Sequence, residues 1–233
     1  LLILGTDMAG KDHVANVITD AAQAAGLQVE RRRGALSARP DRQRTSEDKG
    51  GTRLLLEWVF LATLPLHCRL LPLLTTMLIL RDLRRFRRPD QTPVLVVSHT
   101  AIRLLAFALG HLFTRTEDIR LPAMIQRALR AIPTVSGART IVLDIDHAIR
   151  AERLAQRRKR GTVDLFDRYM GKNPLRSERI EAFLVWIGVT YLGAVRIENN
   201  ALGNSDLLAA IFGTGEETSM KGETAIGSSC STE

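Results

Sequence analysis

Residues Gly5–Lys11 read Gly-Thr-Asp-Met-Ala-Gly-Lys, with the apolar run Leu1–Leu4 before them and a helical pattern after them. A strand that feeds a glycine-rich turn opening a helix leaves few folds available. The spacing G-x-x-x-x-G-K makes that turn a phosphate-binding loop. Glycine lets the backbone turn tightly enough for successive N–H groups to face one anion. The helix N-terminus adds partial positive charge, and Lys11 adds a full charge on a flexible stem. The next position commonly supplies a hydroxyl for Mg2+; here it is Asp12, followed by His13. A chance glycine turn between strand and helix is the plainer alternative.

Val14, Val17, Ile18, Ala21, Ala22 and Ala25 recur at helical spacing, Gly26 stops the helix, and Leu27-Gln28-Val29 begins a second strand. This β-α-β unit calls for a parallel sheet covered by helices. The five expected strands lie at 1–4, 27–31, 93–98, 139–144 and 194–198. Helices are expected in segments over 101–132, then over 147–160, 174–191 and 204–212. Residues 53–87 read as an apolar helical region closed by Pro89-Asp90, 35–52 as a polar surface loop, and 213–233 as a disordered tail. One α/β domain over 1–212 suits the length. Ligands of such sheets bind beyond the carboxyl ends of the strands. Four polar clusters fall there: the phosphate loop, Arg31–Gly34, Ser98–His99 and Asp144–Asp146.

Charge and cysteine usage narrow the partners. The net charge is +8, and only five of the 33 basic residues are lysine, a bias that suits bidentate recognition of phosphates by arginine. Nucleic acid is the obvious rival for a basic chain. With 5% aromatic residues and no helix-turn-helix, zinc-finger or RNP-type motif, none is expected. Cys68 and Cys230 are too isolated for a disulfide framework, so a cytoplasmic location is expected, with Cys68 as a small buried hydrophobe. The chain starts without Met and enters its first strand almost at once, so a few residues are expected upstream; no signal peptide is visible. The apolar stretch 54–80 is interrupted by Glu57 and Arg69 and contains Pro65 and Pro72, which leaves uncharged runs too short to span a bilayer. Two core-packed helices are expected there. The alternative is membrane contact through 54–88, with Arg81, Arg84, Arg85, Arg87 and Arg88 against anionic headgroups.

Over roughly residues 1–212 the chain resembles the thymidylate-kinase-like branch of the nucleoside monophosphate kinases. The loop Gly-Thr-Asp-Met-Ala-Gly-Lys is similar to that family's G-x-D-x-x-G-K, and Val29–Gly34 sits where the family has a strand and an arginine-bearing acceptor loop. The stretch from Leu143-Asp144-Ile145-Asp146 through Glu152-Arg153 and Arg157–Gly161 to Asp164–Tyr169 resembles the family's strand, helix and arginine-rich lid, here about 153–170. Ile197–Asn200 resembles the last strand and adenine-side loop. Two positions depart from the pattern: Ser98-His99 stands where the family carries Asp-Arg, and Asp12 where it carries Ser or Thr. The resemblance implies a three-layer α/β/α fold with strand order 2-3-1-4-5. It also implies an ATP- and Mg2+-dependent kinase whose partner is a small-molecule acceptor, with a homodimer as the assembly it leaves open.

The expected roles follow residue by residue. Gly5, Thr6, Asp7, Met8, Ala9, Gly10, Lys11, Asp12 and His13 would surround the nucleotide phosphates, with Lys11 on the β/γ-phosphates and Asp7 positioning the acceptor or stabilising its own turn. Arg153, Arg157 and Arg158 would close over ATP and stabilise the transferring group, against a solvated basic helix face. Asn199 belongs to the nucleotide side. Arg33, Ser98, His99 and Arg103 would hold the acceptor. Asp12 and Asp144 are the candidate metal ligands, against a helix N-terminal carboxylate for Asp12, while Asp146 fits a helix N-cap. The apolar wall 54–80 and the missing Asp-Arg pair point to an anionic acceptor whose body is more hydrophobic than thymidine. The same departures keep open a nucleotide-binding sensor or scaffold that does not catalyse.

Overall fold

The computed structural model describes residues 1–6, 9–40, 68–89, 94–117, 119–163, 165–200 and 203–213, with the side chain of His99 outside that set. Five parallel strands, β1 (Leu2–Leu4), β2 (Val29–Gly34), β3 (Val94–His99), β4 (Thr140–Asp144) and β5 (Val195–Glu198), form one sheet in the order β2-β3-β1-β4-β5. Eight helices connect and cover them among the described residues: α1 (Lys11–Ala24), α2 (Leu71–Arg85), α3 (Thr100–Leu112), α4 (Ala123–Ser136), α5 (His147–Lys159), α6 (Leu165–Gly171), α7 (Pro174–Leu192) and α8 (Asn204–Phe212). The expected three-layer α/β/α fold and strand order are thus those of the protein.

Side-chain alternation along the strands separates the two cores. Leu2 and Leu4 of β1, Val97 of β3 and Val142 of β4 face one way, onto Ile102 and Leu105 of α3, Leu129 of α4 and Phe183 and Ile187 of α7. Ile3, Val96, Ile141 and Leu143 face the other way, onto Val14 and Ile18 of α1 and Leu207 and Ile211 of α8. Both faces are therefore buried, which is why these strands read as continuous apolar runs. Helices α3 and α7 meet at Gly110, where an added Cβ would lie 2.6 Å from Ile180 Cγ1 and 3.0 Å from its Cα.

Two expectations need correction. The second strand starts two residues later and ends three residues later than its apolar pattern suggests. Leu27 belongs to the closing turn of α1, its N–H donating to Ala22 O at 2.9 Å beyond the left-handed Gly26. At the other end, Arg31–Gly34 is not a loop. It continues the ladder against β3, up to the pair Gly34–His99, because β3 offers backbone partners whatever the side chains are. The second correction concerns 54–80. Residues 54–67 lie outside the described set, and among the described residues α2 packs through one face. Leu71, Thr75, Thr76, Ile79 and Asp82 are buried, while Leu70, Leu73, Leu74, Met77 and Leu78 are exposed. Among the described residues no helix is long and apolar enough to cross a membrane. Beyond Gly213, the expected tail lies outside the described residues.

Candidate functional site

The glycine loop leaves the carboxyl end of β1, the central strand, and enters α1. Gly10 is its pivot, with φ +82° as the residue capping α1. An L-side chain is strained in that conformation, and a Cβ there would lie 2.6 Å from Asn199 Nδ2. Conformation and space both require glycine. Ala9 N–H donates to Thr6 O at 3.2 Å, and Lys11 Nζ turns back to donate to Gly5 O at 2.7 Å. The ammonium is thereby held over the loop. Among the described residues no side chain caps α1, which leaves its first-turn N–H groups facing the loop as an anion site would need them. Asp7 and Met8 lie outside the described residues.

Beneath the loop sits a group that the sequence reading missed. Thr6 Oγ1 donates to Glu181 Oε1 at 2.7 Å, and Arg150 Nη1 reaches the same oxygen at 2.8 Å. Burial pushes the Glu181 carboxyl above its ordinary range and Asp144 adds to this, while Arg150, the Thr6 hydroxyl and His147 oppose it. On the other side of the loop, Asn199 Nδ2 donates to Ala9 O at 2.7 Å, and Arg153 Nη2 donates to Asn199 O at 3.0 Å. Asn199, expected near adenine, is buried and braces the loop. One signal was present: Glu181 is a lone carboxylate opening the apolar stretch Ala182–Val189 of α7, and such residues need partners when buried.

A recess opens beside Thr6, with Arg103, Arg150 and Asp167 around it and Phe107, Leu154 and Met170 as its apolar wall. The Arg103 guanidinium lies 5.0 Å over the Phe166 ring. Arg157 Nη1 pairs with the buried Asp167 at 2.9 Å, which ties α5 to α6. The stretch expected as a lid, 153–170, holds among its described residues the basic end of α5, a turn, and most of α6. Arg158 on it is exposed.

The remaining expected residues are spread around this centre. Asp12 is 80% exposed, with Arg33 Nη2 at 3.8 Å and Arg31 Nη2 at 4.0 Å from its Oδ1. His13 is exposed too. Alternation along β2 separates its three arginines. Arg31 reaches α1, donating to Asn16 Oδ1 at 2.7 Å, whereas Arg32 is buried on the opposite face against Glu30 and the carbonyls of Leu36 and Arg87. Ser98 lies in register with Ile3 and Arg33. Asp144 is neutralised by Arg196, whose Nε donates to Oδ2 at 2.9 Å, while Oδ1 accepts Ile145 N–H at 2.9 Å. Asp146 is the N-cap of α5, accepting Ala148 N–H at 2.8 Å, as its position suggested. Among the described residues no three His, Cys, Asp or Glu side chains come together in a metal-holding group.

No protein-family model matches the chain, and no curated protein matches it.

Proposed function

We propose that the protein is an ATP-dependent phosphotransferase of the thymidylate-kinase-like class, moving the γ-phosphoryl of ATP to a small anionic acceptor. The observation that carries this reading is the loop. Gly10 is left-handed at the start of α1, and Lys11 Nζ is folded onto Gly5 O at 2.7 Å, at the end of the central strand of a parallel sheet. That is a ready anion cradle with a mobile cation. On this reading the ammonium exchanges Gly5 O for the β/γ-phosphate oxygens. Arg103, at the edge of the recess beside Thr6, would receive the anionic end of the acceptor, with Arg33 as the second candidate. Transfer then needs little beyond alignment and charge neutralisation, to which the basic end of α5 contributes. Mg2+ would supply charge neutralisation between the phosphates, with the exposed Asp12 as the carboxylate that fits it, since this ion takes one or two carboxylates besides phosphate and water. The buried thiol of Cys68 suits a reducing cytoplasm.

The test is titration calorimetry of Mg-ATP against wild type and Lys11→Ala. At least a tenfold loss of affinity is expected, about 1.4 kcal/mol. Equal affinities would defeat the loop assignment. A second reading, a nucleotide-binding sensor that does not transfer phosphate, is favoured by Asp12 lying beside Arg31 and Arg33 with no hydroxyl at its position. ATP consumption over a panel of nucleoside monophosphates and phosphorylated metabolites separates the two.

A further inference from the structure

We infer that the phosphate loop and helix α5 form one mechanical unit, coupled through Glu181 and Asn199 as positioning residues. Two relays run from one face of α5 to the loop. Arg150 reaches Thr6 through Glu181 Oε1, over 2.8 and 2.7 Å, and Arg153 reaches Ala9 through Asn199, over 3.0 and 2.7 Å. Arg150 and Arg153 are three residues apart, so they share a face of the helix. The groups in the middle are buried: Glu181 is 6% exposed and Asn199 5%. Asn199 is itself pinned by its N–H to Asp144 O at 2.9 Å, at the end of β4.

What makes this a coupling, and not only bracing, is the way α5 is seated. Arg150, 9% exposed, is the only buried residue of this thirteen-residue helix. Among the described residues, apolar packing reaches α5 through the half-buried Ile149 and Leu154 alone, so polar contacts, the two relays and the Arg157–Asp167 pair, carry much of its seating. The relay also has somewhere else to go. Glu181 Oε2 is buried with no hydrogen-bond partner among the described residues, and His147 Nδ1 of α5 stands 4.0 Å from it. If the Thr6 hydroxyl or the Ala9 peptide turns toward an anion, a relay bond must break, and α5 shifts with its basic end, Arg157–Arg160. The coupling belongs to the free protein; its use in closing arginines over a nucleotide rests on the function proposed above.

Hydrogen exchange on the full chain tests this in two arms. Without nucleotide, the Glu181→Leu/Asn199→Ala variant, which removes the shared acceptor of Thr6 and Arg150 and the amide that holds Ala9, should speed exchange across 147–159 at least tenfold while amides of α3 and α7 keep their wild-type rates. Unchanged α5 rates, or equal acceleration in α3 and α7, would overturn the coupling. If that variant does not fold, Thr6→Val and Thr6→Ser carry the same arm: the serine should restore α5 protection that the valine loses, and identical profiles would overturn it. With Mg-ATP, the loop and α5 should both change exchange rate in wild type, and only the loop in the variant. Were Mg-ATP to alter nothing in wild type, the nucleotide reading would fail while the first arm still decides the coupling.

Discussion

Gly10→Ala tests the architecture of the loop at its tightest point. The alanine must hold φ near +82°, which costs about 1–2 kcal/mol for an L-residue. Its Cβ would also stand 2.6 Å from Asn199 Nδ2, so the amide must swing away and release Ala9 O. Losing that buried bond costs about 1–3 kcal/mol. Together the substitution should destabilise by about 2–5 kcal/mol, and each kcal/mol lowers the melting temperature of a chain this size by about 2–4 °C. Asn199→Ala removes the same bond from the other side, at about 1–3 kcal/mol. The double variant therefore loses the bond once and should cost about 2–5 kcal/mol, less than the sum of the singles by about 1–3 kcal/mol. Urea unfolding of the four proteins, followed by circular dichroism, completes the cycle. Additive costs within about 0.5 kcal/mol would show that the two sites do not share the contact. A Gly10→Ala protein as stable as wild type would refute both the backbone and the steric argument.

Gly110→Ala should cost about 1–3 kcal/mol, because the new methyl meets the backbone of Ile180 as well as its side chain; thermal unfolding measures it, and an unchanged midpoint would mean the two helices part freely. His111 lies between Phe107 O and the Tyr169 hydroxyl, and burial above all, with Arg176 and Arg179, holds it below its ordinary 6.5 despite the raising effect of that carbonyl. The folded state then binds fewer protons, so this contribution rises with pH up to 6.5, is complete above it, and is lost as pH falls through the folded value. His111→Gln should flatten the urea midpoint between pH 5 and 7 relative to wild type. The difference between the two proteins is the readout, because the raised Glu181 carboxyl acts in the opposite sense above 4.5. Finally, the exposed Leu70, Leu73, Leu74, Met77 and Leu78, with Arg81, Arg84 and Arg85 beside them, predict co-sedimentation with anionic vesicles that weakens with salt and is lost in Met77→Glu. Equal binding to neutral vesicles, or no loss in the variant, would reject that surface.

The loop, the strands and most helix limits were legible because they depend on neighbours in the chain. Gly26 ends α1, Asp146 begins α5, and Val94–Val97 is apolar on both faces of the sheet, each a signal within a few residues of its effect. Strand order came from a resemblance, since nothing local in five apolar runs says which lie side by side. The reach of β2 was hidden for a related reason: Arg31–Gly34 is strand only because β3 offers it a ladder. The same pairing decided that Arg32 turns away from α1 while Arg31 and Arg33 turn toward it, which no count of arginines could tell.

The sequence by itself determined that a glycine turn must sit between a buried strand and a helix, with a lysine over it. Only the tertiary structure decided what holds that turn. Glu181 lies 175 residues from Thr6, and Asn199 lies 190 residues from Ala9. Their roles exist only once β4, β5 and α7 have packed beside β1. A buried carboxylate or amide takes its function from whatever folding brings within about 3 Å, and a periodicity carries no record of that.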